Sequence, residues 1–264
     1  MELKGIDVSK WNGVIDWPKV AASGVSFAMV RAATGSKSGK INVDPKMDAN
    51  INGAHAAGIK VGVYLYSYAY TVDAARKEAE NLVKALEKYK DKITWPVAYD
   101  IEEPGQATTA RRATNTAQAT AFLAVIRNAG YTPMLYCNPN WLKNYIDAKL
   151  VGADIWLAHY TAGKPYAAGQ TIWQYSSKGA VAGISGNVDL NVAYKDYSVS
   201  QRPDWLTPAP APTPPHEAAI DALYAAGQIN SPEYWRQVCN GKVVATADNV
   251  RALLAKWAAA IKPQ

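Results

Sequence analysis

Residues 60–100 read KVGVYLYSYAYTVDAARKEAENLVKALEKYKDKITWPVAYD. Their hydrophobic period changes twice. Residues 60–68 put Tyr64, Tyr66 and Tyr68 on one side of an extended segment, as side chains alternating along a strand must lie. From residue 72 to about residue 90 the period lengthens: Ala75, Ala79, Leu82, Val83 and Leu86 form one stripe at helical spacing. A second strand follows at 95–101. Working outward, β-branched or aromatic runs at 3–8, 25–31, 132–137, 154–160, 171–175 and 186–190 add six more strands, and helical patterns occupy 44–58 and 111–129. Strands separated by helices predict a parallel α/β barrel of eight strands, a modified TIM-like (β/α) barrel. The connections 138–153 and 176–186 are too short or too glycine-rich for full helices, so the helix set is expected to be incomplete. An open doubly wound sheet is the alternative.

The chain has 264 residues, 49% of them hydrophobic and 19% charged. A chain of this length buries roughly three quarters of its unfolded surface, and this composition excludes disorder. No apolar run approaches the roughly 20 residues of a membrane helix, so no membrane partner is expected. The start, Met1-Glu2-Leu3-Lys4-Gly5-Ile6-Asp7, shows neither the basic nor the apolar region of a signal peptide. Residues 203–215, PDWLTPAPAPTPP, hold six prolines in thirteen positions, a composition that makes a semi-rigid extended spacer. The expected organisation is therefore a catalytic barrel at 1–202, a linker at 203–215 and a small all-α module at 216–264. Its three expected helices are 216–226, 231–238 and 246–261, the second capped by Ser231 before Pro232. From Asp204 onward five basic residues balance five acidic ones, so the net charge of +6 belongs to the first 203 residues. A basic body suits an anionic polymer, but the charge is too dispersed for a nucleic-acid stripe.

Several familiar patterns fail on inspection. Gly35-Ser36-Lys37-Ser38-Gly39-Lys40 is one residue short of a phosphate loop, and Ile41 sits where a hydroxyl must reach magnesium. His216-Glu217 lacks the second histidine of a zinc helix, and with three histidines and two cysteines no metal site or other cofactor is expected. Gly183-Ile184-Ser185-Gly186 is not a serine-nucleophile elbow. Cys137 ends an apolar strand and reads as core.

The chemistry lies in Pro96-Val97-Ala98-Tyr99-Asp100-Ile101-Glu102-Glu103-Pro104. Strand alternation turns Asp100 and Glu102 to one face and Ile101 and Glu103 to the other. Acids at the carboxyl end of a barrel strand open onto the active-site mouth. Two close carboxylates over apolar walls cannot both ionise cheaply, so one becomes a general acid, which suits glycosidic bond cleavage. An isolated D-x-E is equally consistent with a helix cap and a solvated acid. Asp7, at the end of the first strand, and Asp189, in the last, become neighbours if the barrel closes, and four acids at one mouth outweigh that reading. Tyr64, Tyr66, Tyr136, Trp156 and Trp173 are candidate sugar-packing aromatics at the same strands, with barrel filling as the alternative role. The chain's 16 tyrosines against 2 phenylalanines favour a polar cleft.

With these residues in place, residues 1–197 resemble glycoside hydrolase family 25, the lysozymes or muramidases of phage endolysins and bacterial autolysins. The resemblance rests on Gly5-Ile6-Asp7-Val8-Ser9-Lys10-Trp11-Asn12-Gly13, Asp44-Pro45 with Asn50, Gly62-Val63-Tyr64 and Asp100-Ile101-Glu102. It continues through Leu135-Tyr136, Ile172-Trp173-Gln174-Tyr175 and Gly183-Ile184-Ser185-Gly186-Asn187-Val188-Asp189. It implies a cofactor-free peptidoglycan hydrolase cleaving the β-1,4 bond between N-acetylmuramic acid and N-acetylglucosamine. By the same resemblance Glu102 is the acid/base, and Asp100 stabilises the charge at the cleaved sugar or positions its 2-acetamido group. Asp7 and Asp189 line that subsite, and Tyr64 and Tyr136 contact substrate. Leu65 departs from the family, many members having histidine there.

The tail is similar to a helical module of some phage and clostridial wall hydrolases. Wall binding, docking onto the barrel and self-association are its three readings, through Tyr234, Trp235 and Trp257. A phage-type endolysin without an export signal is expected to be made in the host cytoplasm and released to the wall by a holin or by lysis. A chitinase-like glycosidase and a non-catalytic wall-binding protein are the rival readings.

Overall fold

The computed structural model describes residues 2–163, 165–166, 169–199, 220, 223, 229–239 and 249–250. Eight strands close a barrel: β1 (Leu3–Val8), β2 (Phe27–Thr34), β4 (Lys60–Tyr66), β5 (Ile93–Asp100), β6 (Pro133–Cys137), β7 (Asp154–Ala158), β8 (Ile172–Gly179) and β9 (Val188–Ala193). A two-residue strand, β3 (Asn42–Val43), pairs antiparallel with β2 outside the ring. The order around the barrel is β1-β9-β8-β7-β6-β5-β4-β2, and a β1–β2 pairing completes the closure.

Every neighbouring pair from β1 through β8 is parallel, but β9 runs antiparallel to both β8 and β1. This corrects the expectation of a wholly parallel barrel. A parallel return needs a crossover of a dozen or more residues, and residues 180–187 are too few to supply one. The same hairpin carries β8 to Gly179, past the end expected at residue 175.

The expected helices appear as α2 (Met47–Ala56), α3 (Val72–Leu86) with a 3-10 turn at Glu87–Tyr89, and α4 (Arg112–Asn128). Between β6 and β7 lie two short pieces, α5 (Pro139–Asn144) and α6 (Ala148–Val151), so the helix set is incomplete as expected. An unforeseen helix, α1 (Trp17–Ala22), precedes β2. Asp16 caps it by accepting the Lys19 N–H, with Pro18 in the first turn. No helix of the described residues is long and apolar enough to cross a membrane.

Strand alternation divides the core into two layers. Val61, Val63, Leu65, Val97 and Tyr99 face outward and pack with Ala79, Leu82, Leu86 and Phe122 of the helices. Phe27, Met29, Trp95, Met134, Tyr136 and Trp156 fill the interior. Phe27 stacks on Trp95 at 4.3 Å between ring centroids. Gly5 makes that stack possible, because a Cβ there would come within 2.2 Å of the Phe27 ring.

Residue contacts divide the chain into units 1–201 and 202–264. In the second, the described helix is α7 (Pro232–Cys239), where Tyr234 and Trp235 meet edge-on at 5.4 Å. The expected linker at 203–215 and Trp257 lie outside the described residues. So do the expected helices 216–226 and 246–261, apart from residues 220, 223, 249 and 250.

Candidate active site

The four carboxylates anticipated at the strand ends line one cavity of about 420 Å³. Asp7 lies near the end of β1, Asp100 ends β5, and Glu102 follows two residues later. Asp189 lies at the start of β9, and because β9 is reversed its start reaches the same mouth as the ends of the other strands. Asp7 and Asp189 are register partners in the β1–β9 pair.

Burial governs the electrostatics. Asp7 and Asp100 are 4% and 3% exposed. Burial pushes the Asp7 carboxyl well above the usual range, and the charge of Asp189 raises it further; amide hydrogen bonds from Asn191 and Gln174 oppose the shift. Asp100 is also raised well above the ordinary value, first by burial, then by Glu102 and Asp7, with the Arg31 guanidinium opposing. Glu102 is raised by burial and then by Asp189. Asp189 is raised by burial, with its contact to Asp7 acting the other way. These acids therefore hold protons to higher pH than free carboxyls, which a proton donor near neutrality requires. Asp100 Oδ1 is buried and has no hydrogen-bond partner among the described residues.

A chain of hydrogen bonds fixes Asp7. Its Oδ2 accepts from Gln174 Nε2 and Asn191 Nδ2, each at 2.8 Å. Asn191 Oδ1 accepts the Trp156 indole N–H at 2.7 Å, while Gln174 Oε1 accepts the hydroxyls of Tyr136 at 3.1 Å and Tyr160 at 2.8 Å. The Tyr136 hydroxyl is held neutral by burial and the nearby carboxylates, and that of Tyr160 is pushed up to about 12 by burial and Asp189. On another wall Arg31 pairs with the buried Asp44 at 2.7 Å, and Asp44 also accepts the backbone N–H groups of Lys10 and Lys46.

Among the expected aromatics, Tyr64, Tyr66, Tyr136 and Trp156 line the cavity. Trp156 packs edge-on against Tyr64 and Tyr136, at 5.7 and 4.6 Å. Trp173 does not line it. Its indole N–H donates to the His159 carbonyl, its ring tilts against Tyr175, and the inward position on β8 belongs to Gln174. The placement of Trp173 in the cleft is thus corrected by a one-residue register: adjacent strand residues point to opposite faces.

Glu103 lies outside the cavity lining, although its Oε2 accepts a long 3.5 Å hydrogen bond from Tyr66. Cys137 is buried and its thiol pushed up by burial, which leaves it an inert core residue. Arg31, Tyr160, Gln174 and Asn191 were not anticipated as lining or supporting residues. Asn191 had a usable signal, since it follows Asp189 at strand period two. Among the described residues no three His, Cys, Asp or Glu side chains are grouped to hold a metal ion.

Comparison with known proteins agrees with this geometry. The profile of Glycosyl hydrolases family 25 matches residues 6–184. Lysozyme M1 of Streptomyces globisporus is 30% identical over 215 residues, covering 72% of this chain and 67% of that protein. Among solved structures, the modular autolysin LytC from Streptococcus pneumoniae, in complex with a synthetic peptidoglycan ligand, superposes with a TM-score of 0.63 at 28% identity. The match covers 73% of this chain and 47% of LytC. The bacterial lysozyme from Streptomyces coelicolor superposes with a TM-score of 0.61 at 25% identity, covering 74% and 93%. A profile that runs from the first barrel strand into the last hairpin takes in more than half of the chain, and the protein therefore belongs to glycosyl hydrolases family 25, as a glycoside hydrolase of the muramidase kind.

Proposed function

We propose that this chain hydrolyses peptidoglycan at the β-1,4 bond between N-acetylmuramic acid and N-acetylglucosamine, with Glu102 as acid/base and Asp100 as charge stabiliser. The observation that carries this reading is the gathering of Asp7, Asp100, Glu102 and Asp189 in one cavity, with Glu102 held protonated to higher pH by burial and by Asp189. Glu102 gives its proton to the glycosidic oxygen as the bond from C1 to that oxygen breaks. Positive charge then develops at C1. Asp100, as its carboxylate, stabilises that charge, and the positive charge offsets the burial and the acidic neighbours that otherwise disfavour the ionised form. Asp100 Oδ1, without a hydrogen-bond partner among the described residues, offers an acceptor to the sugar's 2-acetamido N–H. Water adds to C1, and the Glu102 carboxylate takes its proton, restoring the acid.

Tyr64, Tyr66, Tyr136 and Trp156 supply the walls against which the sugar packs, and Asp7 and Asp189 line the same subsite. We further read the protein as a phage-type endolysin acting on the wall after release from the cytoplasm, with the tail as a wall-binding or self-association module.

The test is mass spectrometry of borohydride-reduced products from Gram-positive peptidoglycan, comparing wild type with Glu102→Gln. Reduced muramic-acid ends from wild type, and a loss of at least roughly 100-fold in the variant, are expected. Reduced glucosamine ends would reassign the bond, and equal turnover by both proteins would remove Glu102 from its role.

A further inference from the structure

The mouth of the cavity carries an aromatic side chain that the reaction at the carboxylates does not use. Trp11 lines the cavity and is 78% exposed. A single exposed tryptophan needs no explanation on an ordinary surface, but this one is held on a tethered turn. Residues Lys10–Asn12 form a 3-10 turn closed by a capping box: Ser9 Oγ accepts the Trp11 N–H, and Asn12 Oδ1 accepts the Ser9 N–H at 2.9 Å. The turn is tied to the β2 side through the Lys10 N–H on Asp44 at 3.1 Å. It is tied to the approach to β9 through Asn12 Nδ2 on the Asn187 carbonyl at 3.4 Å. Gly13, at φ 67°, then turns the chain away. The Lys10 ammonium stands over the ring, 4.7 Å from its centroid.

We infer that Trp11 is a stacking platform for a pyranose ring of the glycan strand lying beyond the two sugars that flank the cleaved bond. This inference rests on the proposed function and specifies its substrate as polymeric glycan. Asp7 and Asp100 are buried in the cavity and Glu102 and Asp189 half-buried, while Trp11 is exposed at the rim, so a sugar seated on Asp100 and Glu102 leaves the tryptophan to a ring farther along the strand. The C–H face of a pyranose is apolar and matches an indole in area, whereas its hydroxyls stay in water. Because the turn is tethered in the protein alone, binding does not incur the entropy of ordering it. The consequence is a preference for long strands over short fragments.

The experiment measures KM and kcat of wild type, Trp11→Ala and Trp11→Phe on long glycan strands and on a tetrasaccharide of the same repeat. Melting curves check that the exposed substitution leaves the fold intact. Trp11→Ala is expected to raise KM on long strands roughly three- to tenfold and to shrink the advantage of long over short substrates by the same factor. Trp11→Phe should recover most of the loss. An unchanged KM on long strands in Trp11→Ala overturns the inference. If wild type cleaves nothing, the proposed function fails, and calorimetric titration with soluble glycan strands still decides the platform: equal Kd for wild type and Trp11→Ala rejects it, and weaker binding by the variant supports it.

Discussion

Asp7 and Asp189 stand opposite one another in the antiparallel β1–β9 pair, two acids on neighbouring strands at one wall of the cavity. Like charges directly across a strand pair are destabilising; Asp7 is raised by burial and then by the charge of Asp189, whereas Asp189 is raised by burial, with its contact to Asp7 opposing the shift. The pair acts on the rest of the site: Asp7 raises Asp100, and Asp189 raises Glu102. Closing the barrel with a reversed strand therefore brings Asp189 to where its charge raises Glu102, just past the end of β5.

Asp189→Asn removes a negative charge that, after burial, raises the pKa of Glu102. If Glu102 donates the proton, activity falls as pH rises through its pKa, so lowering that pKa must move the alkaline limb of the kcat/KM profile to lower pH. A limb that stays in place or moves to higher pH would show that Asp189 does not tune the acid.

Glu103→Gln is expected to retain more than half of wild-type activity. Its side chain lies outside the cavity, and the 3.5 Å bond to Tyr66 is at the long limit of a hydrogen bond. Loss as deep as that of Glu102→Gln, in the same product assay, would mean that the register past Asp100 is reversed.

Glu78 makes the barrel's stability depend on pH. It is buried on α3, with Oε1 accepting the Ser36 N–H at 2.9 Å and Oε2 accepting the Ser67 hydroxyl at 2.6 Å. Burial outweighs these bonds and lifts its pKa from 4.5 to about 7. A folded pKa above the unfolded one stabilises the protein fully below pH 4.5, and that stability is lost as pH rises through 7, an effect on the order of 3 kcal/mol. The raised acids of the cavity act in the same direction. Melting temperature should fall between pH 4.5 and 7, and Glu78→Gln should flatten that slope. An equally steep slope in the variant would assign the effect to the cavity acids alone.

Trp156→Phe deletes the indole N–H that Asn191 Oδ1 accepts, leaving a buried amide oxygen unpaired. The expected cost is about 1–3 kcal/mol in urea unfolding. Asn191 also donates to Asp7, so the acid's orientation should loosen and activity should fall with stability. Full stability in the variant would show that Asn191 finds another donor.

The strand leading to Asp100 and Glu102 is legible because these acids follow an apolar run ending in a period-two pattern, and every such run is a strand within a few residues. Helix α3 was legible from its stripe, but Glu78 on that stripe was not: a glutamate at helical spacing looks like a solvent face until Ser36 and Ser67 are seen to satisfy it. Trp173 is misplaced by the sequence because a short strand with its aromatics on one face, and Ile172 and Gln174 on the other, does not declare which face turns inward. The amides Gln174 and Asn191 carry no charge, so although period two puts Asn191 on the face of Asp189, nothing in the sequence says that both amides hold Asp7.

Sequence alone determined the eight strands, the main helices, the acids and the family, because these follow from local periodicity and from short motifs contiguous in the chain. The direction of β9, the pairing of Asp7 with Asp189, the direction of each pKa shift and the tethered turn under Trp11 were decided only in three dimensions. Each depends on which groups closure of the barrel removes from water together, and that is a property of residues up to 184 positions apart.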